Sequence, residues 1–73
     1  MTYVITRRVE AGNGQFTAVV CAVPKDEGGF GLVRTHECDS YSGASSLLDM
    51  LARILGSELT ARGDVVLATD GAE

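Results

Sequence analysis

The residue types best suited to chemistry lie together in the segment His36-Glu37-Cys38-Asp39. Alternate side chains of a strand share a face, so His36 and Cys38 could approach one ion, with Asp39 close behind. A zinc site needs three or four ligands, and one chain offers two here, whereas a symmetric dimer would offer four. A Cys-His nucleophile pair is the other chemistry that these types allow. A polar strand end explains the segment more simply, so we predict no catalytic or metal site.

Cys21 and Cys38 are the two cysteines of the chain. The strand register described below separates them by about six residues, or about 20 Å, whereas a disulfide needs Cα atoms within about 7 Å. We therefore predict two free thiols, which are typical of a reducing cytoplasm. The first eight residues lack the order of charge and apolar core that a signal peptide needs. No run approaches the roughly 20 apolar residues of a membrane span.

The chain has 73 residues and a net charge of −4, which predicts one small domain. Its charge is uneven. Residues 1–36 carry four cationic and three anionic side chains. Residues 37–73 carry two cationic and seven anionic side chains. A net acidic domain lacks the field that attracts a phosphate backbone, so nucleic-acid binding is disfavoured. The acidic half could instead face a basic protein partner.

Hydrophobic periodicity predicts a β-β-β-α-β order in a two-layer α+β domain. Asn13-Gly14 predicts a two-residue hairpin turn, and Ala44 to Leu55 follows helical spacing. Ser42 or Ser45 is the predicted helix cap, and Asp49 and Arg53 form a predicted ion pair. Gly56 either ends the helix, or the helix runs on through Leu59 to a cap at Gly63. We predict a helix to about residue 55, followed by a looser turn to about residue 61. The predicted strands are 2–10, 15–23, 30–37 and 64–69, with 70–73 as a disordered tail beyond a domain of residues 1–69.

A five-residue loop, Lys25 to Gly29, would place Phe30 beside Ala22 and Leu32 beside Val20. This register gathers large apolar side chains on one sheet face, where the helix would cover them. The predicted core of the sheet is Tyr3, Ile5, Val9, Phe16, Val20, Phe30 and Leu32. The helix stripe that would cover it is Ala44, Leu47, Leu48, Leu51, Ile54 and Leu55.

One helix covers only one face of a sheet. The opposite face is then valine-rich and lacks a cover within the chain, which predicts a homodimer joined through sheet faces or edge strands. The predicted interface residues are Val4, Val19, Cys21, Val23 and Val33.

The order of elements resembles that of HicB-type antitoxin domains. The matching stretches are Tyr3-Val4-Ile5, Phe16 to Val19 ahead of Val23-Pro24, and the helix 44–55. Lys25-Asp26-Glu27 stands where the family has a Pro-Asp-Leu-Pro-Gly-Cys-like segment. The resemblance implies a partial ribonuclease-H-like fold and an antitoxin that masks a basic, RNA-acting partner. The residues themselves favour a small, cytoplasmic, non-catalytic interaction module, with an enzyme assembled around His36 and Cys38 at a dimer interface as a third hypothesis.

Overall fold

The computed structural model describes residues 1–25 and 29–70 and confirms the α+β prediction. One helix packs on one face of a four-stranded mixed sheet whose strand order is β3-β2-β1-β4. The elements in chain order are β1 (Thr2–Gly12), β2 (Gln15–Pro24), β3 (Leu32–Cys38), α1 (Tyr41–Ala61) and β4 (Val65–Asp70).

The β1–β2 hairpin forms at the predicted turn. Asn13 and Gly14 have φ angles of 54° and 76°, and the flanking Gly12 and Gln15 face each other across the strands. Two consecutive positive φ angles match the right-handed twist of the strands, and Asn-Gly adopts them with little strain. The turn therefore sets the register of the two longest strands.

The β3 strand pairs two residues away from its predicted register. Leu32, rather than Phe30, lies opposite Ala22, and Arg34 lies opposite Val20. An even shift keeps each side chain on its predicted face, so Leu32 still packs against the core. Phe30 lies outside the strand and is 86% exposed, so its prediction as a core residue is wrong. The predicted loop falls partly on residues 26–28, outside the described residues.

The α1 helix is continuous from Tyr41 to Ala61 and passes through Gly56, so the predicted looser turn after residue 55 is wrong. Its N-cap is Ser40, whose hydroxyl accepts a hydrogen bond from the Gly43 amide at 3.0 Å, so neither predicted cap is correct. The last turn is held by tertiary packing, since Leu59 is fully buried against the sheet. Just after it, Gly63 adopts a φ of +93°, which favours glycine at a helix end.

The core lies between α1 and the sheet. Ile54 is 47% exposed, so its prediction as part of the buried stripe is wrong. The extended helix instead buries Leu59, one turn beyond Leu55. The buried cluster is Tyr3, Ile5, Val20, Ala22, Ala52, Leu55 and Leu59, with Leu32, Leu48, Leu51 and Val66 packed against it.

The β4 strand pairs in parallel with β1, beside the start of the chain. The register shifts between Tyr3 and Val4, whose partners are Val66 and Ala68, and Leu67 is the extra residue. The strand extends to Asp70, one residue beyond the predicted domain end. The rest of the predicted tail, residues 71–73, lies outside the described residues.

Candidate functional site

The sheet face opposite α1, called the open face below, is the candidate functional surface. The described residues extend 16 Å in their shortest dimension, about the depth of one helix layer on one sheet. No element of the described chain covers the second side of the sheet. The open face is therefore a surface that the described part of the fold leaves without a packing partner.

Exposed apolar side chains concentrate at one end of this sheet, where β1, β3 and β4 begin and β2 ends. We call this region the apolar end. Val65 and Leu67 are both more than half exposed and flank Val66, which packs on the core. Phe30 lies just before β3, at the rim of the same region. Met1 is at the same end but on the helix-facing side, where its sulfur accepts a hydrogen bond from the Tyr3 hydroxyl at 3.8 Å. The members of the apolar end on the open face are Val23, Val33, Val65 and Leu67.

The predicted interface residues differ in what they offer a partner. Val23 and Val33 are 48% and 55% exposed, while Val4 and Cys21 are half-buried. Val19 is only 4% exposed, so it offers little surface to a partner. It lies on the central strand between Arg8 and Thr35, and neighbouring strands cover such positions from both sides. Sequence reasoning missed Val65 and Leu67, although their alternation around Val66 was a usable signal.

The other end of the open face is polar. Arg8 and Glu10 form an ion pair at 2.8 Å, and the hydrogen bond and charge of Glu10 raise the pKa of Arg8. An open hollow of about 250 Å³ lies at the same end, between the last residues of β1 and Glu37 of β3. Glu10, Thr17 and Glu37 line it together with the hairpin turn. The open face thus changes from apolar to charged along its length.

The polar cluster His36, Cys38 and Asp39 lies apart from this surface. His36 and Cys38 share the helix-facing side of β3, and a Cβ added at Gly43 of α1 would lie 3.7 Å from Cys38 Cβ. Cys21 is on the open face, so the sheet separates the two cysteines, and both are free as predicted. Within residues 1–25 and 29–70, no three His, Cys, Asp or Glu side chains are close enough to hold a metal ion.

The acidic half of the chain carries less free charge than its composition indicates. Asp49 bonds Arg7 on β1, so the predicted Asp49–Arg53 pair is wrong. Arg7 projects from the helix-facing side of the sheet and reaches the helix surface directly.

Two further acidic residues of this half are also paired. Glu58 bonds Arg34 at 2.7 Å, and Asp64 bonds the Met1 ammonium at 2.9 Å. Ion pairing within the chain therefore offsets much of the charge that could attract a basic partner.

Comparison of the chain with protein-family models, with curated proteins and with solved structures finds no match. Among the described residues, no helix has both the length and the apolar character needed to cross a membrane.

Proposed function

We propose that this protein is a small, non-catalytic interaction module that acts as a homodimer joined through its open face. The observation that carries the proposal is the apolar end, where Val23, Val33, Val65 and Leu67 are 48–55% exposed on the open face. Contiguous apolar surface of this kind marks interaction sites in soluble proteins. Two free thiols support a cytoplasmic location.

The size of the open face suits a second copy of the chain. With about 3.3 Å per residue and 4.8 Å between strands, the four strands cover about 540 Å² of plane. Two copies would therefore bury about 1,100 Å², which clears the roughly 1,000 Å² expected of a specific interface. Two sheets stacked about 10 Å apart would form a helix-sheet-sheet-helix sandwich.

The charges of the open face are compatible with self-association. Arg8, Glu10 and Glu37 place both signs on the same surface, so a two-fold contact can pair a cation of one copy with an anion of the other. The net charge of −4 per copy opposes association over longer distances. Salt screens that repulsion, with a Debye length of about 8 Å at 0.15 M. We therefore expect the dimer to tighten as ionic strength rises.

The test is the mass of the protein by size-exclusion chromatography with light scattering, over a range of concentrations. Wild type should be dimeric, and Val23→Lys/Val33→Lys should be monomeric with unchanged circular dichroism. The matched control is Met50→Lys/Ile54→Lys, which adds the same charges at side chains of similar exposure on the outer face of α1. This control should remain dimeric.

Two results would overturn the proposal. A wild-type monomer at the highest soluble concentration would remove the homodimer. Loss of the dimer in the α1 variant alone would move the interface to the helix. The competing function, an antitoxin-like module that binds a basic partner, predicts the opposite salt dependence, because opposite charges attract less strongly when screened. A stable complex with a small basic protein that weakens with salt would favour that alternative.

A further inference from the structure

The outer edge of β3 presents unpaired backbone groups in a pattern that the hairpin determines. A two-residue hairpin closes with a hydrogen-bonded pair, here Gly12 and Gln15. Hydrogen bonding alternates along a strand, so the even-numbered residues of β2 bond to β3. Their partners on β3 are likewise even-numbered, from Leu32 to Cys38. The outward N–H and C=O groups of β3 therefore belong to Val33, Thr35 and Glu37.

The Arg34 side chain covers one of these outward groups. Its Nη1 donates to the Val33 carbonyl oxygen at 3.1 Å, and its Nη2 donates to Glu58 Oε1 on α1 at 2.7 Å. One guanidinium thus links the helix surface to the exposed edge of the sheet. The planar guanidinium of arginine carries several N–H donors in fixed directions, so it can bond two acceptors at once.

We propose that Arg34 blocks the edge of β3 from pairing with β3 of a second copy. An exposed edge strand is a template for strand addition, and proteins use charged side chains to prevent it. Antiparallel pairing of two β3 strands would need the Val33 carbonyl as an acceptor and would desolvate the guanidinium beside it. Glu58 bonds the other nitrogen of the guanidinium, whereas the bond to the Val33 carbonyl is made by Arg34 alone. The contact thereby keeps two sheets from joining through their β3 edges.

The first test compares Arg34→Ala with the matched control Glu58→Ala. Arg34→Ala uncovers the edge, so its mass should rise to at least twice that of wild type with increasing concentration. In the associated form, the amides of Val33, Thr35 and Glu37 should exchange hydrogen more slowly than in wild type. Glu58→Ala loses the same exposed ion pair but retains the guanidinium, so it should keep the wild-type mass.

The second test restores the block in a different way. Arg34→Ala/Thr35→Pro removes an outward N–H from the middle of the strand, a position where an edge strand tolerates proline. This double variant should return to the wild-type mass with circular dichroism unchanged. An Arg34→Ala protein with wild-type mass and exchange rates would overturn the proposal. An equal rise in mass for Glu58→Ala would also overturn it, since loss of the ion pair would then suffice.

The effect of Arg34→Ala on mass can be read whether or not wild type forms the proposed open-face dimer. If the open face joins two copies, edge pairing adds a second two-fold contact, and Arg34→Ala should form tetramers or longer chains. If wild type is monomeric, the same variant should form dimers. Failure of the open-face dimer would thus leave the role of Arg34 testable in the same experiment.

Discussion

The rings of Phe16 and Tyr41 meet edge to face, with centroids 6.1 Å apart and planes at 87°. Phe16 lies near the start of β2, and Tyr41 is the first residue of α1. Edge-to-face pairs stabilise by about 0.5–1.5 kcal/mol beyond the area they bury. We expect a double-mutant cycle of Phe16→Leu and Tyr41→Leu, measured by urea unfolding, to give a coupling energy at the lower end of that range, since Tyr41 is more than half exposed. Additive single effects would contradict a direct ring contact.

Because α1 continues past Gly56, alanine substitutions at two aliphatic residues of the helix should differ strongly in their effect on stability. Leu59→Ala should lower the free energy of unfolding by about 2–5 kcal/mol, because Leu59 is fully buried in the core. Ile54→Ala should have a much smaller effect, since its side chain is nearly half exposed. Urea denaturation of both variants measures the difference. Equal effects would show that the last turn of the helix is not packed in solution.

Gly56 offers a stabilising substitution. A Cβ at this position would lie 3.7 Å from Ile5 Cδ1, which is ordinary van der Waals contact. Alanine in a helix interior is favoured over glycine by about 0.5–1 kcal/mol, so Gly56→Ala should raise the thermal midpoint. The matched control is Gly63→Ala, which should lower it because a φ of +93° strains an alanine. A drop in both variants would indicate that the helix bends at Gly56.

The helix is capped by Ser40, whereas sequence reasoning predicted Ser42 or Ser45. Ser40→Ala removes the acceptor for the Gly43 amide and should destabilise the protein by about 1 kcal/mol. Ser42→Ala should change stability little, since Ser42 lies within the first turn and its backbone carbonyl, rather than its hydroxyl, accepts from Ser46. Thermal unfolding of the two variants provides the comparison. A larger loss for Ser42→Ala would contradict the position of the cap.

Local pattern was sufficient for the order of elements, for the hairpin at Asn13-Gly14 and for the faces of the strands. These features depend on the period of apolar residues and on the φ preferences of single residues, both of which are properties of short segments. Even the β3 register error left the faces unchanged, because side chains alternate with a period of two. The open face and its valines were therefore predictable.

Tertiary structure alone decided where the helix ends, which apolar residues are buried and which ion pairs form. Gly56 is a weak helix former, and only the burial of Leu59 against the sheet offsets its cost. Asp49 bonds Arg7 and Glu58 bonds Arg34 because the sheet brings β1 and β3 under α1, a proximity with no trace in local spacing. The apolar end arises in the same way, since it gathers residues of β2, β3 and β4 onto one end of the sheet. Short segments encode which face a side chain takes, whereas burial and pairing depend on which distant strand or helix lies beside it.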